Sequence, residues 1–348
     1  MESPTPSPSS AGEGQLLPIP DPEESARLLG RSLSAPGGGP GPEGESAAGC
    51  AGFRSGFVAL IGRPNVGKST LLNQLVGQKV AITSPVAQTT RNRLRAILTT
   101  EAAQLVLLDT PGIHKPHHLL GERLVQSARG AIGEVDVVLL LVDGSQPAGR
   151  GDGFIVELLR QARVPVHVGL NQWDKVPPER AEELLASYQE LLDPALAWPL
   201  HPLSALTGEG TGTLVEALAA DLPEGPPLYP PDAISDQPEH LLLAELIREQ
   251  VLTHTREEVP HSVAVQIDRI TDDGPRTAVL ATVLVERTSQ KGILIGRGGS
   301  MLRQIGQGAR LQMQKVFAGP VYLELFVKVV PNWRRSAARL AELGYRGD

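Results

Sequence analysis

Cysteine is almost missing from this chain: Cys50 is the only one among 348 residues. An intrachain disulfide and a cysteine-based metal cluster are therefore excluded, which fits a reducing cytoplasm. Aromatic residues are scarce as well, at 3%, so the 41% of hydrophobic residues must build cores from Leu, Val, Ile and Ala. Such a composition suits parallel sheets covered by helices. No run of about 18 apolar residues occurs, so no membrane-spanning helix is expected. A basic stretch leading into an apolar run is missing from the N-terminal region, so a secretory leader is not expected. Glu2, Glu13, Asp21, Glu23 and Glu24 also argue against an acid-poor transit peptide.

Net positive charge is lacking too. The formal charge of −7 argues, as an average, against a nucleic-acid partner. Its distribution argues the other way. Between Arg287 and Arg339 ten Lys or Arg stand against a single acid, Glu324, a candidate phosphate-binding surface.

Residues 1–52 are dominated by Pro, Gly, Ser and Ala and read as a disordered tail holding Cys50. From Phe57 the texture changes. Short apolar runs ("FVALI", "LVLLD", "VDVVLLLVD", "VPVHVGLN") alternate with amphipathic helical stretches, which predicts an α/β domain with a mostly parallel sheet over 53–222. "PEGPPLYPPDAISDQP", 223–238, breaks regular structure and reads as a linker. Over 239–348 a helical pattern precedes strands of period two, giving the order helix, strand, strand, helix, helix, strand. That part is α+β.

"GRPNVGKST" follows a strand and opens a helix, the context of a Walker A loop. Its backbone from Gly62 through Arg63, Pro64, Asn65, Val66 and Gly67 would close on phosphates, Lys68 would reach the β- and γ-phosphates, and Ser69, beside Thr70, would ligate Mg²⁺. "LVLLDTPG" ends a buried strand at Asp109, where a carboxylate can hold Mg²⁺ through water. After Thr110 and Pro111, Gly112 offers an N–H to the γ-phosphate. "NQWD" (Asn171, Gln172, Trp173, Asp174) ends a further strand, and Asp174 can accept from the N1–H and N2–H₂ edge that guanine has and adenine lacks. In "SAL" (Ser204, Ala205, Leu206) the Ala205 N–H could meet the guanine O6. The ordered set points to guanine nucleotide, GTP or GDP, with Mg²⁺.

The order "GRPNVGKST", "QTTR", "DTPG", "NQWD", "SAL" resembles the translation-factor-related GTPases, and its pairing with "SQKGILIGRGG" and "VYLELFVKVVPNW" resembles the Era family of ribosome-assembly GTPases. The resemblance covers about residue 55 onward. It implies a P-loop GTPase fold followed by a KH-type domain, with GTP hydrolysis involving Lys68, Thr90 and Gly112. It also implies binding of small-subunit ribosomal RNA near its 3′ end in the assembling small subunit, a monomer in the cytoplasm, and peripheral association with the inner membrane face. "SPVAQTTRNR" falls at the family's first switch, where Thr89 or Thr90 would close on Mg²⁺ and the γ-phosphate. Related GTPases with asparagine at the position of Asn65 can take K⁺ there. One departure is plain: the family has lysine at the position of Gln172, and the consequence falls on nucleotide affinity. Ile113 follows "DTPG", so the water-orienting glutamine of Ras-like enzymes is missing and intrinsic hydrolysis should be slow. His114, His117 and His118 read as a solvated loop rather than a zinc site.

"ILIGRGGSML" sets Gly296, Arg297, Gly298 and Gly299 between two helical stretches, the GXXG arrangement of a type II KH domain, which clamps about four nucleotides. Arg287, Lys291, Arg303, Arg310 and Lys315 lie nearby. Two readings stand: an RNA-binding switch that hydrolyses GTP, and an RNA-binding assembly chaperone with negligible hydrolysis for which GTP is only a conformational ligand.

Overall fold

The computed structural model describes residues 52–83, 94–110, 112, 130, 132–192, 194–272, 274, 276–317 and 319–343. The tail with Cys50, the switch threonines Thr89 and Thr90, Pro111, Ile113, His114, His117 and His118 lie outside them.

Six strands form the first sheet: β1 (Arg54–Gly62), β2 (Leu94–Thr99), β3 (Ala103–Asp109), β4 (Val137–Asp143), β5 (Val166–Asn171) and β6 (Leu200–Pro202), in the spatial order β2-β3-β1-β4-β5-β6. All neighbours are parallel except β2, which runs antiparallel to β3 at the edge. The mostly parallel α/β reading holds. Helices α1 (Lys68–Val76), α2 (Arg150–Leu159), α3 (Pro178–Leu191) and α4 (Thr211–Ala220) cover both faces. Alternation along β1 explains the two-sided core. Val58 and Leu60 join a cluster with Leu71, Leu72, Leu214 and Leu218 of α1 and α4. Ala59 and Ile61 join the opposite cluster with Ile155, Leu159 and Tyr188 of α2 and α3. Each fully buried Leu or Ile contributes about 1.5–3 kcal/mol, so a charge at Leu60 would break both packing and sheet. The onward connection of β1 runs to the β3 side and that of its neighbour β4 to the β5 side, so the chain diverges at their carboxyl ends. A crevice opens there, the place where such sheets bind ligands.

The second sheet is β7 (Ala264–Asp272), β8 (Thr277–Val285) and β9 (Val321–Val329), with β7 antiparallel and β9 parallel to the central β8. Helices α5 (Glu239–His254), α6 (Thr288–Ile295) and α7 (Ser300–Val316) bury Leu243, Ile247, Leu294, Ile305 and Met313 against Val265, Val279 and Val283. The predicted element order holds, with a single helical turn, Val259–Ser262, added before β7. Beyond β9, Trp333 is buried on Ala264 and Leu284 and donates its indole N–H to Ser262 O at 3.1 Å, ahead of the short helix α8 (Ala337–Glu342).

The proline-rich segment 223–238 is not a free tether. Ser55 N–H donates to Pro223 O, Ile97 N–H donates to Ile234 O, and Gln104 Oε1 accepts from Leu228 and Tyr229 N–H. No helix among the described residues is long and apolar enough to cross a membrane.

Candidate functional site

The loop from Gly62 to Gly67 joins β1 to α1 at the crevice. Gly67 has φ +99, and a Cβ there would lie 2.2 Å from Asn171 Nδ2, so only glycine fits. Lys68 opens α1 with its ammonium buried, donating to Gly62 O at 3.2 Å and Arg63 O at 3.0 Å. Burial pushes its pKa down, and the Asp109 carboxylate partly opposes this. Ser69 Oγ donates to Asp109 Oδ2 at 3.1 Å. A desolvated cation behind a loop of backbone amides suits polyphosphate, and a hydroxyl beside a carboxylate is a hard-oxygen pair suited to Mg²⁺. The residues fit both groups.

Asn171, buried at the end of β5, ties the site together. Its Nδ2 donates to Val66 O at 2.7 Å, and its Oδ1 accepts the Ala205 N–H at 2.8 Å. One side chain thus braces the phosphate loop and the "NQWD" and "SAL" segments. The Asn171 to Ala205 bond ties together two segments that the sequence assigns to the nucleotide. Trp173 N–H donates to Leu203 O at 3.1 Å, adding a second tie. Ser204 is fully buried, and its Oγ accepts the Thr207 N–H at 3.1 Å, closing the turn that carries Leu206, which is 73% exposed. Thr110, also buried, donates its hydroxyl to Leu60 O at 2.6 Å. Gly112 lies so close to the phosphate loop that a Cβ would come 2.7 Å from Pro64 N.

Two side chains at the site have partners that the motifs do not reveal. The Arg63 side chain pairs with the buried Asp152 of α2 at 3.1 Å, because Asp152, which also accepts the Gly149 N–H, would otherwise be a buried carboxylate without a cation. Asp152 was missed; an acid in the first turn of a predicted helix was its only sequence signal. Gln172, the departure from the family, has φ +63, and its Oε1 accepts from Lys175 Nζ at 2.6 Å. A cation one turn on therefore stands beside the glutamine. Asp174 is exposed within the same turn, Trp173–Lys175.

In the second sheet's domain, Gly296 to Gly299 lie between α6 and α7. Gly298 (φ +59) and Gly299 (φ +78) have open space where a Cβ would stand, whereas a Cβ on Gly296 would come 2.8 Å from Met301 Cβ. The first two glycines leave a backbone surface free for a ligand; Gly296 is needed to close the turn itself. Arg297, Arg303 and Arg310 are exposed, the last two seven residues apart on one helical face, and Lys291 is half-buried. Arg287 pairs instead with Glu258 at 3.6 Å.

The family described as 50S ribosome-binding GTPase matches residues 57–172, and the KH domain family matches 258–334. Fold and site together define a P-loop GTPase joined to a KH-type domain. GTPase Era of Synechocystis sp. (strain ATCC 27184 / PCC 6803 / Kazusa) is 60% identical over 296 residues, covering 85% of this chain and 94% of that protein. GTPase Era of Nostoc sp. (strain PCC 7120 / SAG 25.82 / UTEX 2576) is 60% identical over 294 residues, covering 84% and 90%. A crystal structure of Era in complex with MgGDPNP and nucleotides 1506–1542 of 16S ribosomal RNA superposes with a TM-score of 0.79 at 40% identity, covering 84% of this chain and 99% of that one. An Aquifex aeolicus Era variant bound to GDP·AlF₄⁻ gives the same values. The chain belongs to the Era family of GTPases.

Proposed function

We propose that this GTPase binds small-subunit ribosomal RNA near its 3′ end and uses its GTP cycle to time its stay on the assembling small subunit. What supports this reading most is one chain carrying both an Asn171-braced guanine-nucleotide site and a GXXG loop with open glycines flanked by exposed arginines. The RNA itself comes from the relative crystallised with nucleotides 1506–1542 of 16S ribosomal RNA.

In this reading Lys68 neutralises the β- and γ-phosphates, the amides of Asn65 to Ser69 cradle them, and Asp174 selects guanine. Ser69 and Asp109 hold Mg²⁺ together with Thr89 or Thr90. Bound Mg²⁺ supplies charge neutralisation on the β- and γ-oxygens. The Gly112 N–H turns toward the γ-phosphate, and Asn65 offers its side chain to K⁺. Residues 53–222 and 239–348 act as the two functional domains. We further propose that the protein works in the cytoplasm as a monomer, with peripheral attachment to the inner membrane face.

Replacing Lys68 by Ala tests the nucleotide half: productive GTP binding should be lost, because the ammonium that offsets phosphate charge at close range is gone. GTP affinity near the parent's would sink the assignment.

A further inference from the structure

Glu249 sits midway along α5, on the RNA-domain side, yet its carboxylate serves the GTPase domain. Its Oε1 accepts the Thr83 N–H at 2.8 Å and the Thr83 hydroxyl at 3.2 Å. Its Oε2 accepts from Lys79 Nζ at 2.5 Å and from Gln312 Nε2 of α7 at 2.7 Å. The side chain is only 4% exposed. A buried carboxylate with four donors holds its neighbours in one arrangement, since losing any donor exposes the rest to an uncompensated charge.

What it holds lies at the entrance to the first switch. Thr83 is the last described residue before the segment bearing Thr89 and Thr90. Ile82, one residue earlier, is buried in the apolar cluster of the RNA domain with Leu243, Ile247 and Met313. Asn73 of α1 fixes the preceding stretch, its Oδ1 accepting the Val80 and Ala81 N–H groups at 2.9 Å each. On the far side of the switch, Arg95 pairs with Asp236 at 3.0 Å and Arg95 O accepts the Ser235 hydroxyl. Gln312 belongs to the helix whose N-terminus follows the GXXG loop, about 20 Å away at 1.5 Å per residue. Helices α5 and α7 approach closely at Gly308, where a Cβ would come 2.1 Å from Gln250 Oε1.

We propose that Glu249 is a positioning residue that couples nucleotide state to RNA affinity, joining the entrance of the first switch to the GXXG-bearing helix through Thr83, Lys79 and Gln312. The inference rests on the reading of this chain as a nucleotide-switched RNA binder. Linkage makes the coupling reciprocal: whatever factor GTP contributes to RNA affinity, RNA must return to GTP affinity.

The test uses the full chain and the RNA of nucleotides 1506–1542 of 16S ribosomal RNA. The quantity read is the ratio of RNA affinities with MgGDPNP and with MgGDP. A ratio of one for the parent would remove the switch reading itself, before any variant is made. Given a parental ratio in the usual range of about 5–150-fold for coupled sites, Glu249→Gln should bring it to within about twofold of one. GDP affinity without RNA should meanwhile stay within about threefold, since the Glu249 carboxylate bonds Thr83, Lys79 and Gln312 and, among the described residues, none that the nucleotide reading uses. A merely structural Glu249 would lower the unfolding midpoint and leave the ratio intact; that result in folded Glu249→Gln overturns the proposal. Should this variant not fold, Lys79→Met removes a half-exposed partner of the same carboxylate and must also reduce the ratio. An unchanged ratio there overturns it equally.

Discussion

Replacing Asn171 is the sharpest test of how the nucleotide site is built. In Asn171→Ala the Val66 carbonyl loses its donor and the Ala205 N–H its acceptor, both bonds lying in a buried setting. Each orphaned group costs about 1–3 kcal/mol, so the loss should be roughly 2–6 kcal/mol, a large part of a typical stability of about 5–15 kcal/mol. Asn171→Asp separates the two bonds. Its carboxylate still accepts from Ala205, but an oxygen replaces the donor to Val66 O, and a charge is buried against a carbonyl. Despite its closer shape, Asp should therefore cost at least as much as Ala. Urea unfolding of both variants measures the order, and fluorescent-GDP titration of the folded fraction should show affinity reduced at least tenfold. An Asp variant nearer to the parent than the Ala variant would refute the bracing role of the Val66 contact.

Gln172→Lys restores the family residue but sets its ammonium beside Lys175, whose Nζ now bonds Gln172 Oε1. Repulsion of about 1 kcal/mol at 4 Å in water offsets a gain of similar size, so GDP affinity should stay within about threefold, and only Gln172→Lys with Lys175→Ser should bind tighter. Gly298→Asp should weaken RNA binding and leave GTP binding intact, because a left-handed position gains a side chain and a charge facing phosphates; equal RNA affinity by filter binding would remove the loop from the interface. His201 is held below the ordinary histidine pKa of 6.5 by burial and by His167, whose Nδ1 lies 2.9 Å from its Nε2. A folded pKa below the unfolded one gives stability that is full above about pH 6.5 and lost as pH falls through the folded value. His201→Gln should flatten the fall in urea midpoint between pH 7.5 and 5.5, and an unchanged slope would count against it.

Local patterns were legible and distant partners were not. Period-two alternation placed β7 and β9, and buried apolar runs placed the strands of the first sheet, because those signals come from neighbouring residues. Asn171 belongs to "NQWD", which marks a nucleotide-binding chemistry, while the Val66 carbonyl that takes its amide lies 105 positions away. Arg63 was read with the phosphates, while its acid, Asp152, lies 89 positions away. The proline-rich 223–238 could be seen to break helices and strands. Nothing in its composition showed that Gln104 would accept two of its amides.

These long-range contacts explain why so many motif residues turn inward. Thr110, Ser204 and Asn171 spend their side chains on backbone groups, which stiffens the described turns around the nucleotide site. Preorganisation of this kind lowers the ordering cost of binding. It also leaves Lys68 desolvated against two carbonyls, with the Asp109 carboxylate partly opposing the fall in its pKa. An arriving phosphate returns the missing negative charge at close range, where little solvent screens it. Mg²⁺ needs no rearrangement of the Ser69 to Asp109 contact, because a hydroxyl that donates its hydrogen to the carboxylate keeps its lone pairs for the metal. Nucleotide affinity should consequently respond more steeply to Mg²⁺ concentration than to ionic strength.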